Sequence, residues 1–283
     1  MAINLRCCGD LLKAALKKCF PCVRAFSDDP IQQSMATPSG YTVLHLVVCD
    51  FPILEYILPK TLKYINYQNS FGNTPLYHFL ETGTCSLKTV ELLISSGADV
   101  NIVNKQEMNS LSFAATLNLE IFKCLLNCGA KSIPSKSGFN VLLSCARCSS
   151  DIKLFKYILE NCLTLNVDPV NDVCYGNNIL HYICKSDNML KKILSLSSDT
   201  ICKNINQKDE KGLTPLMRFL EYYNASTYSD DNSDTIIDTK FLKTLLSLGA
   251  DPLIENKGKS CIDQTEILIY KKIMIEFQDL PPF

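Results

Sequence analysis

Apolar residues fall at helical spacing in short blocks along the chain: Ile53, Leu54, Ile57 and Leu58; Val90, Leu93 and Ile94; Ile121, Leu125 and Leu126; Leu154, Phe155, Ile158 and Leu159; Leu242, Leu245 and Leu246. Recurrence at i, i+3 and i+4 marks one apolar face of an amphipathic helix. Each block is too short to enclose a core alone, so the pattern predicts helices that bury their faces against neighbours. Three stop in the same way: Gly97-Ala98-Asp99, Gly129-Ala130 and Gly249-Ala250-Asp251 supply the left-handed residue that ends a helix and turns the chain.

A second signal precedes these helices. Phe71-Gly72-Asn73-Thr74-Pro75-Leu76 reads as a tight turn followed by a short helix, because glycine tolerates positive φ, threonine caps through its hydroxyl and proline suits the first helical turn. Thr214-Pro215-Leu216 repeats the motif in full. Thr42-Val43-Leu44-His45 and Asn178-Ile179-Leu180-His181 keep cap and leucine, while Asn109-Ser110-Leu111 and Asn140-Val141-Leu142 are weaker versions. With the turn position as ruler, Gly40, Gly72, Glu107, Gly138, Gly176, Gly212 and Gly258 are separated by 32, 35, 31, 38, 36 and 46 residues. A period near 33 with a turn and two helices per unit is that of stacked repeats forming one continuous body, not of independent domains.

Over residues 36–270 the chain therefore resembles the ankyrin-repeat family, with six to seven units. Thr74-Pro75-Leu76-Tyr77-His78-Phe79-Leu80 and Thr214-Pro215-Leu216-Met217-Arg218-Phe219-Leu220, together with Asn/Ile/Lys-rich connections, are similar to the ankyrin proteins of large DNA viruses, poxviruses above all. The resemblance implies an all-α solenoid with hairpin loops, acting as a non-enzymatic scaffold that binds and sequesters or redirects another protein, in a viral setting a modulator of host signalling. Ubiquitin-ligase substrate adaptor and membrane-tethered scaffold are the alternatives. Poxvirus relatives often end in a ligase-recruiting box that opens with a leucine-proline pair; this sequence stops at Gln278-Asp279-Leu280-Pro281-Pro282-Phe283, where such a box would begin.

Such a solenoid varies at its loop tips and on the exposed side of each first helix. The period places Ser70, Phe71, Lys105, Gln106, Lys136, Tyr175, Lys208 and Glu210 at tips, and His78, Glu81, Tyr182, Lys185, Arg218, Glu221 and Tyr222 on the concave helical side. The expected protein-binding residues are Phe71, His78, Glu81, Lys105, Lys136, Tyr175, Tyr182, Lys208, Arg218 and Tyr222. Phe71, Tyr175, Arg218 and Tyr222 lead as anchors, since aromatics and arginine dominate interface energetics.

Residues 1–35 depart from the repeat. Leu5, Cys8, Leu12, Ala15, Leu16, Cys19, Phe20 and Val23 share a helical face, and Arg6, Lys13, Lys17, Lys18 and Arg24 oppose only Asp10. This predicts a basic amphipathic helix over 1–24, interrupted by Pro21, which either caps the solenoid or contacts an anionic membrane or a partner. One Cys19-x-x-Cys22 near Cys7 and Cys8 is weak evidence for zinc without a well-spaced second pair, and no metal is assigned. Cys145-x-x-Cys148 falls within a repeat's first helix. A second departure, Tyr222 to Asp238, is rich in Ser, Asp, Asn and Thr and reads as a surface insert, and 271–283 reads as a tail.

A formal net charge of -1 gives no bulk attraction to nucleic acid, and none is expected as a partner. Fifteen cysteines, odd in number and scattered through helical segments, point to a reducing compartment and a cytoplasmic location. Only His45, His78 and His181 could serve as imidazole bases. His45 and His181 stand where ankyrin repeats tie neighbouring loops, and no phosphate loop, H-E-x-x-H helix or G-x-S-x-G elbow occurs. No catalytic residue or cofactor is assigned.

Overall fold

The computed structural model describes residues 7–83, 86–148, 151–169, 171–183, 203–227, 239–265 and 268–278. It divides into two units, Met1–Lys136 and Ser137–Phe283. In the first, α1 (Leu11–Leu16), α2 (Phe20–Phe26) and α3 (Pro30–Ser34) precede three helix pairs: α4 (Val43–Val47) with α5 (Phe51–Thr61), α6 (Pro75–Glu81) with α7 (Leu87–Ser95), and α8 (Ser110–Ala114) with α9 (Leu119–Asn127). The second holds α10 (Val141–Cys148) with α11 (Ile152–Glu160), the short α12 (Cys162–Leu165), α13 (Ile179–Tyr182), α14 (Pro215–Thr227) with α15 (Thr239–Ser247), and α16 (Cys261–Gln264) with α17 (Leu268–Gln278). Among the described residues the only extended pairing is three isolated bridges in hairpin loops, at Ala36–Thr42, Cys174–Asn177 and Asn256–Lys259.

Local chemistry sets the ends of these helices. Thr74 Oγ1 accepts the Tyr77 N–H at 3.2 Å, Asn118 Oδ1 that of Ile121 at 3.0 Å and Asp151 Oδ1 that of Leu154 at 3.2 Å, each satisfying a donor the helix cannot. The glycine stops share one geometry. Gly97, Gly129 and Gly249 have φ of 97°, 83° and 93°, and the alanine after each donates five residues back, to Leu93, Leu125 and Leu245 at 3.0 Å. That bond defines the Schellman closure.

The first helices stack in sequence, α4 on α6 on α8 in the first unit and α10 on α13 on α14 on α16 in the second. The leucine two residues past each cap is what they bury: Leu44, Leu76 and Leu111, then Leu142, Leu180 and Leu216, are all 2% exposed or less. Each such burial contributes about 1.5–3 kcal/mol, and the share supplied by the neighbouring unit is lost to a unit that stands alone.

Three expectations need correction. The single helix expected over 1–24 is two. α1 closes at Lys17, Lys18 turns left-handed at φ 50°, and Pro21 sits in the first turn of α2, where its missing N–H costs nothing, rather than inside one long helix. Leu12, Ala15 and Val23 of the expected face are buried, with α1 on α4 and α2 on α5, while Leu16 and Phe20 are exposed. Leu11 N–H donates to Gln32 Oε1 (2.9 Å), and Lys60 Nζ of α5 reaches Ser27 Oγ (3.0 Å) and Asp28 Oδ1 (2.6 Å), which holds this segment against the first repeat. The insert expected from Tyr222 starts later, because α14 continues to Thr227; residues 228–238 lie outside the described set. The tail boundary at 270 falls inside α17, whose Tyr270, Ile273 and Met274 are buried, with Tyr270 packed on Phe219 (ring centroids 5.5 Å). Leu5, Arg6, Lys185 and residues 279–283 also lie outside the described set.

Candidate protein-interaction surface

Three loop tips are built by an amide or carboxylate three residues before the turn position. Asn69 Oδ1 accepts the N–H groups of Phe71 (2.9 Å) and Asn73 (3.0 Å), Asn104 Oδ1 those of Gln106 (2.9 Å) and Met108 (3.0 Å), and Asp209 Oδ1 those of Lys211 (2.8 Å) and Leu213 (2.9 Å). Successive tips then bond through the backbone: Ser70 N–H to Ser39 O (3.0 Å), Lys105 N–H to Phe71 O (3.0 Å) and Glu210 N–H to Tyr175 O (3.3 Å). This close approach explains Gly72, whose φ is 80° and whose added Cβ would stand 2.7 Å from Lys105 N. Glu107, at the equivalent position, takes φ 62° without glycine.

A second ladder runs along the helix closures. Asn66 donates to Gly97 O (3.0 Å) and accepts from Asp99 N–H (2.8 Å), Asn101 does the same with Gly129 (3.1 Å) and Lys131 (2.8 Å), and Asn206 with Gly249 (2.8 Å) and Asp251 (2.9 Å). All three asparagines stand six residues before a turn position, an offset visible in the sequence that the motif reading passed over.

His45 and His181 are structural. His45 Nδ1 accepts the Thr42 N–H (3.2 Å), so its Nε2 carries the proton and donates to Asn73 O (3.0 Å) in the next loop; His181 bridges Asn178 N–H (3.1 Å) and Leu213 O (3.1 Å) alike. Burial lowers both to about 4, which keeps the rings neutral at physiological pH.

In the second unit a groove of about 660 Å³ is lined by Arg147 of α10, Tyr175 and Asn177 of a hairpin, His181 and Tyr182 of α13, the tip Asp209–Lys211, and Arg218, Glu221 and Tyr222 of α14. Four expected binding residues, Tyr175, Tyr182, Arg218 and Tyr222, thus share one wall-to-wall site. Tyr175 is 60% exposed and holds a left-handed φ of 51° beside Gly176, forming a two-residue hairpin closed by Cys174 and Asn177. Arg218 is an organiser rather than an open anchor. Its Nε and one terminal nitrogen bond the buried Asp209 carboxylate, and the other reaches Glu221 Oε2 at 3.0 Å. Burial alone would raise Asp209, but the Leu213 N–H and Arg218 outweigh it and hold the carboxyl below its ordinary value. Tyr182 donates to Cys174 O (3.4 Å), and its ring stands near-perpendicular to that of Phe139.

In the first unit a smaller recess of about 280 Å³ is lined by Tyr41, Phe71, Asn73, Glu81, Asn104, Lys105 and Gln106. Phe71, 57% exposed, and Lys105 stand on its rim, while Glu81 accepts from Asn73 Nδ2 at 2.8 Å. His78 does not line it; its ring packs on Tyr41 (5.0 Å between centroids), with Nδ1 3.7 Å from Glu81. Lys136 pairs with Glu107 at 2.8 Å, and Lys208 donates to Glu255 O at 2.9 Å, so both brace neighbouring loops. Arg147 and Tyr41, which no motif marked, join the sites only through folding. Apart from these surfaces, the thiols of Cys7, Cys8, Cys19 and Cys22 converge before α1 and at the start of α2.

The family model described as "Ankyrin repeats (3 copies)" matches residues 44–134 and 83–169, the stretch from α4 through α12. The chain carries ankyrin repeats over residues 44–169. Its repeats are similar to those of the ankyrin repeat protein FPV244 of fowlpox virus (strain NVSL), 27% identical over 145 residues that make up 51% of this chain and 20% of the viral protein. The matched stretch is thus about a fifth of the relative's length. An ankyrin array is a protein-interaction scaffold, and the loop tips and grooves above are the surfaces it presents. Among the described residues no helix is long and apolar enough to cross a membrane.

Proposed function

We propose that this ankyrin array captures a partner protein in the groove of the second unit and sequesters or redirects it, acting in the cytoplasm of an infected host as a viral modulator of host signalling. The single observation that carries the reading is the groove itself: three tyrosines on three different elements, Tyr175, Tyr182 and Tyr222, face one concavity that holds charges of both signs. Rigid aromatics lose little entropy on binding and dominate interface energies. Tyr175, at 60% exposure, offers its ring to solvent on the hairpin tip. The likeness to a fowlpox ankyrin protein supports the viral setting.

Affinity capture from host cytoplasm tests it, comparing the intact chain with Tyr175→Ala/Tyr222→Ser and with Lys153→Ala/Lys156→Ala on α11, away from the groove. Proteins retained by the intact chain and the α11 variant but lost from the groove variant support the reading. A retained set indifferent to the groove variant overturns it. A ubiquitin-ligase adaptor role is the second reading, resting on the viral likeness and on the much greater length of the relative; it predicts that a ligase scaffold co-purifies through a segment beyond the repeats.

A further inference from the structure

The four converging cysteines form a cluster that the interaction surface does not use. Cys7 Sγ stands 3.5 Å from Cys8 Sγ, 3.6 Å from Cys19 Sγ and 3.3 Å from Cys22 Sγ, and all four sulfurs lie within 4.8 Å of one another. A single tetrahedral ion with bonds of about 2.3 Å to sulfur holds its ligands about 3.8 Å apart, in the middle of that range. A disulfide would need about 2 Å between one pair and would leave the other two sulfurs without purpose. An iron–sulfur cluster interposes several atoms between its thiolates and would spread them further.

We propose that Cys7, Cys8, Cys19 and Cys22 bind one zinc ion as a tetrathiolate site that staples the N-terminal helices onto the first ankyrin repeat. The backbone is shaped for it. Gly9 at φ 78° turns the chain straight after Cys7-Cys8, Lys18 at φ 50° turns it straight before Cys19, and one turn of α2 brings Cys22 onto the same side as Cys19. Cys8 and Cys22 are buried and Cys7 is exposed, so the ion would be shielded from one side and reached from the other. Binding converts four thiols and one Zn²⁺ into a complex of net charge −2 and releases four protons to solvent. Lys17, Lys18 and Arg24 of the same segment carry charge of the opposite sign, while Lys13 pairs with Asp10 at 3.1 Å. Because α1 packs on α4 and α2 on α5, fixing the two turns fixes the cap over the first repeat.

The test uses the full chain purified under reducing conditions without chelator. The expected metal content is about one zinc per chain. Replacement by Co²⁺ should give the absorption of a tetrahedral thiolate complex, and a strong chelator should lower the melting temperature. Cys19→Ser/Cys22→Ser should lose the metal and the chelator response, whereas Cys49→Ser/Cys128→Ser should keep both. Circular dichroism confirms that each variant is folded, and Co²⁺ titration of the unaltered chain decides the matter should the cap variant not fold. Substoichiometric zinc with no thiolate–cobalt absorption in the reduced, unaltered chain overturns the proposal, as does full zinc retention by Cys19→Ser/Cys22→Ser.

Discussion

Lowering the pH from 7 to 5 loads His45 and His181 unequally in the folded and unfolded chains. Both rings are held near pKa 4 when folded, against about 6.5 for an ordinary histidine, first by burial, which their bonds to Asn73 O and Leu213 O only partly offset. The folded state therefore resists the proton that the unfolded state accepts. Stability from these groups is complete above about pH 6.5 and is lost as pH falls toward 4, with about 2 kcal/mol gone per histidine by pH 5. The groups facing them shape the effect. His78 opposes charging of His45 and is itself lowered by burial, adding a loss of the same sign, while Asp209 and Arg218 act on His181 in opposite directions. Asp10, Glu107, Asp209 and Asp263 are held below their ordinary values and stay ionised through this window. Urea unfolding followed by circular dichroism at pH 7, 6 and 5 measures the loss. His45→Gln should cost about 1–2 kcal/mol at pH 7, for the severed bond to Asn73, yet shrink the pH 7-to-5 loss by about 2 kcal/mol. An unaltered pH loss in His45→Gln would refute the assignment of the acid sensitivity to these buried rings.

Three further outcomes follow from the loop geometry. Gly72→Ala should destabilise by about 1–2 kcal/mol more than Gly97→Ala in urea melts, because both hold positive φ but only Gly72 would place its Cβ against a neighbouring backbone nitrogen. Asn101→Ala should cost about 1 kcal/mol by removing its exposed bonds to Gly129 O and Lys131 N–H, and hydrogen exchange at Lys131 reads the loss directly. Lys18→Gly should raise stability by about 1 kcal/mol, since its φ of 50° suits glycine, with thermal melting as the readout.

The repeat was legible because its signals are local. Thr74, Pro75 and Leu76 each act within one turn of helix, and Gly97 or Gly249 within one closure, so a spacing rule finds them without a fold. The same holds for Asn66, Asn101 and Asn206, whose fixed offset lay in plain view but reads as a connecting segment until the closure it bonds is beside it. What resisted reading depends on pairs brought together by stacking. Arg218 reads as an exposed anchor on helical phase alone, and only the fold sets it on the buried Asp209 nine residues earlier. The break at Lys17–Cys19 escaped because leucine, alanine, lysine and cysteine all tolerate helix, and the turn is stabilised by docking of α1 and α2 on the first repeat rather than by a breaker residue.

That docking also changes the meaning of the N-terminal charge. An amphipathic stretch is drawn to a membrane when its apolar face has nowhere else to go, yet Leu11, Leu12, Ala14, Ala15 and Val23 are already buried against the repeat. A lipid surface would have to compete with about 1.5–3 kcal/mol for each of the larger side chains. The end of a solenoid needs its last apolar face covered, and here the cover is two short helices, with the four converging thiols at the turns before α1 and α2 and in the first turn of α2. Any force that fixes those turns therefore acts on the same face that the first repeat must hide, so the integrity of the cap and the stability of α4 and α5 should rise and fall together.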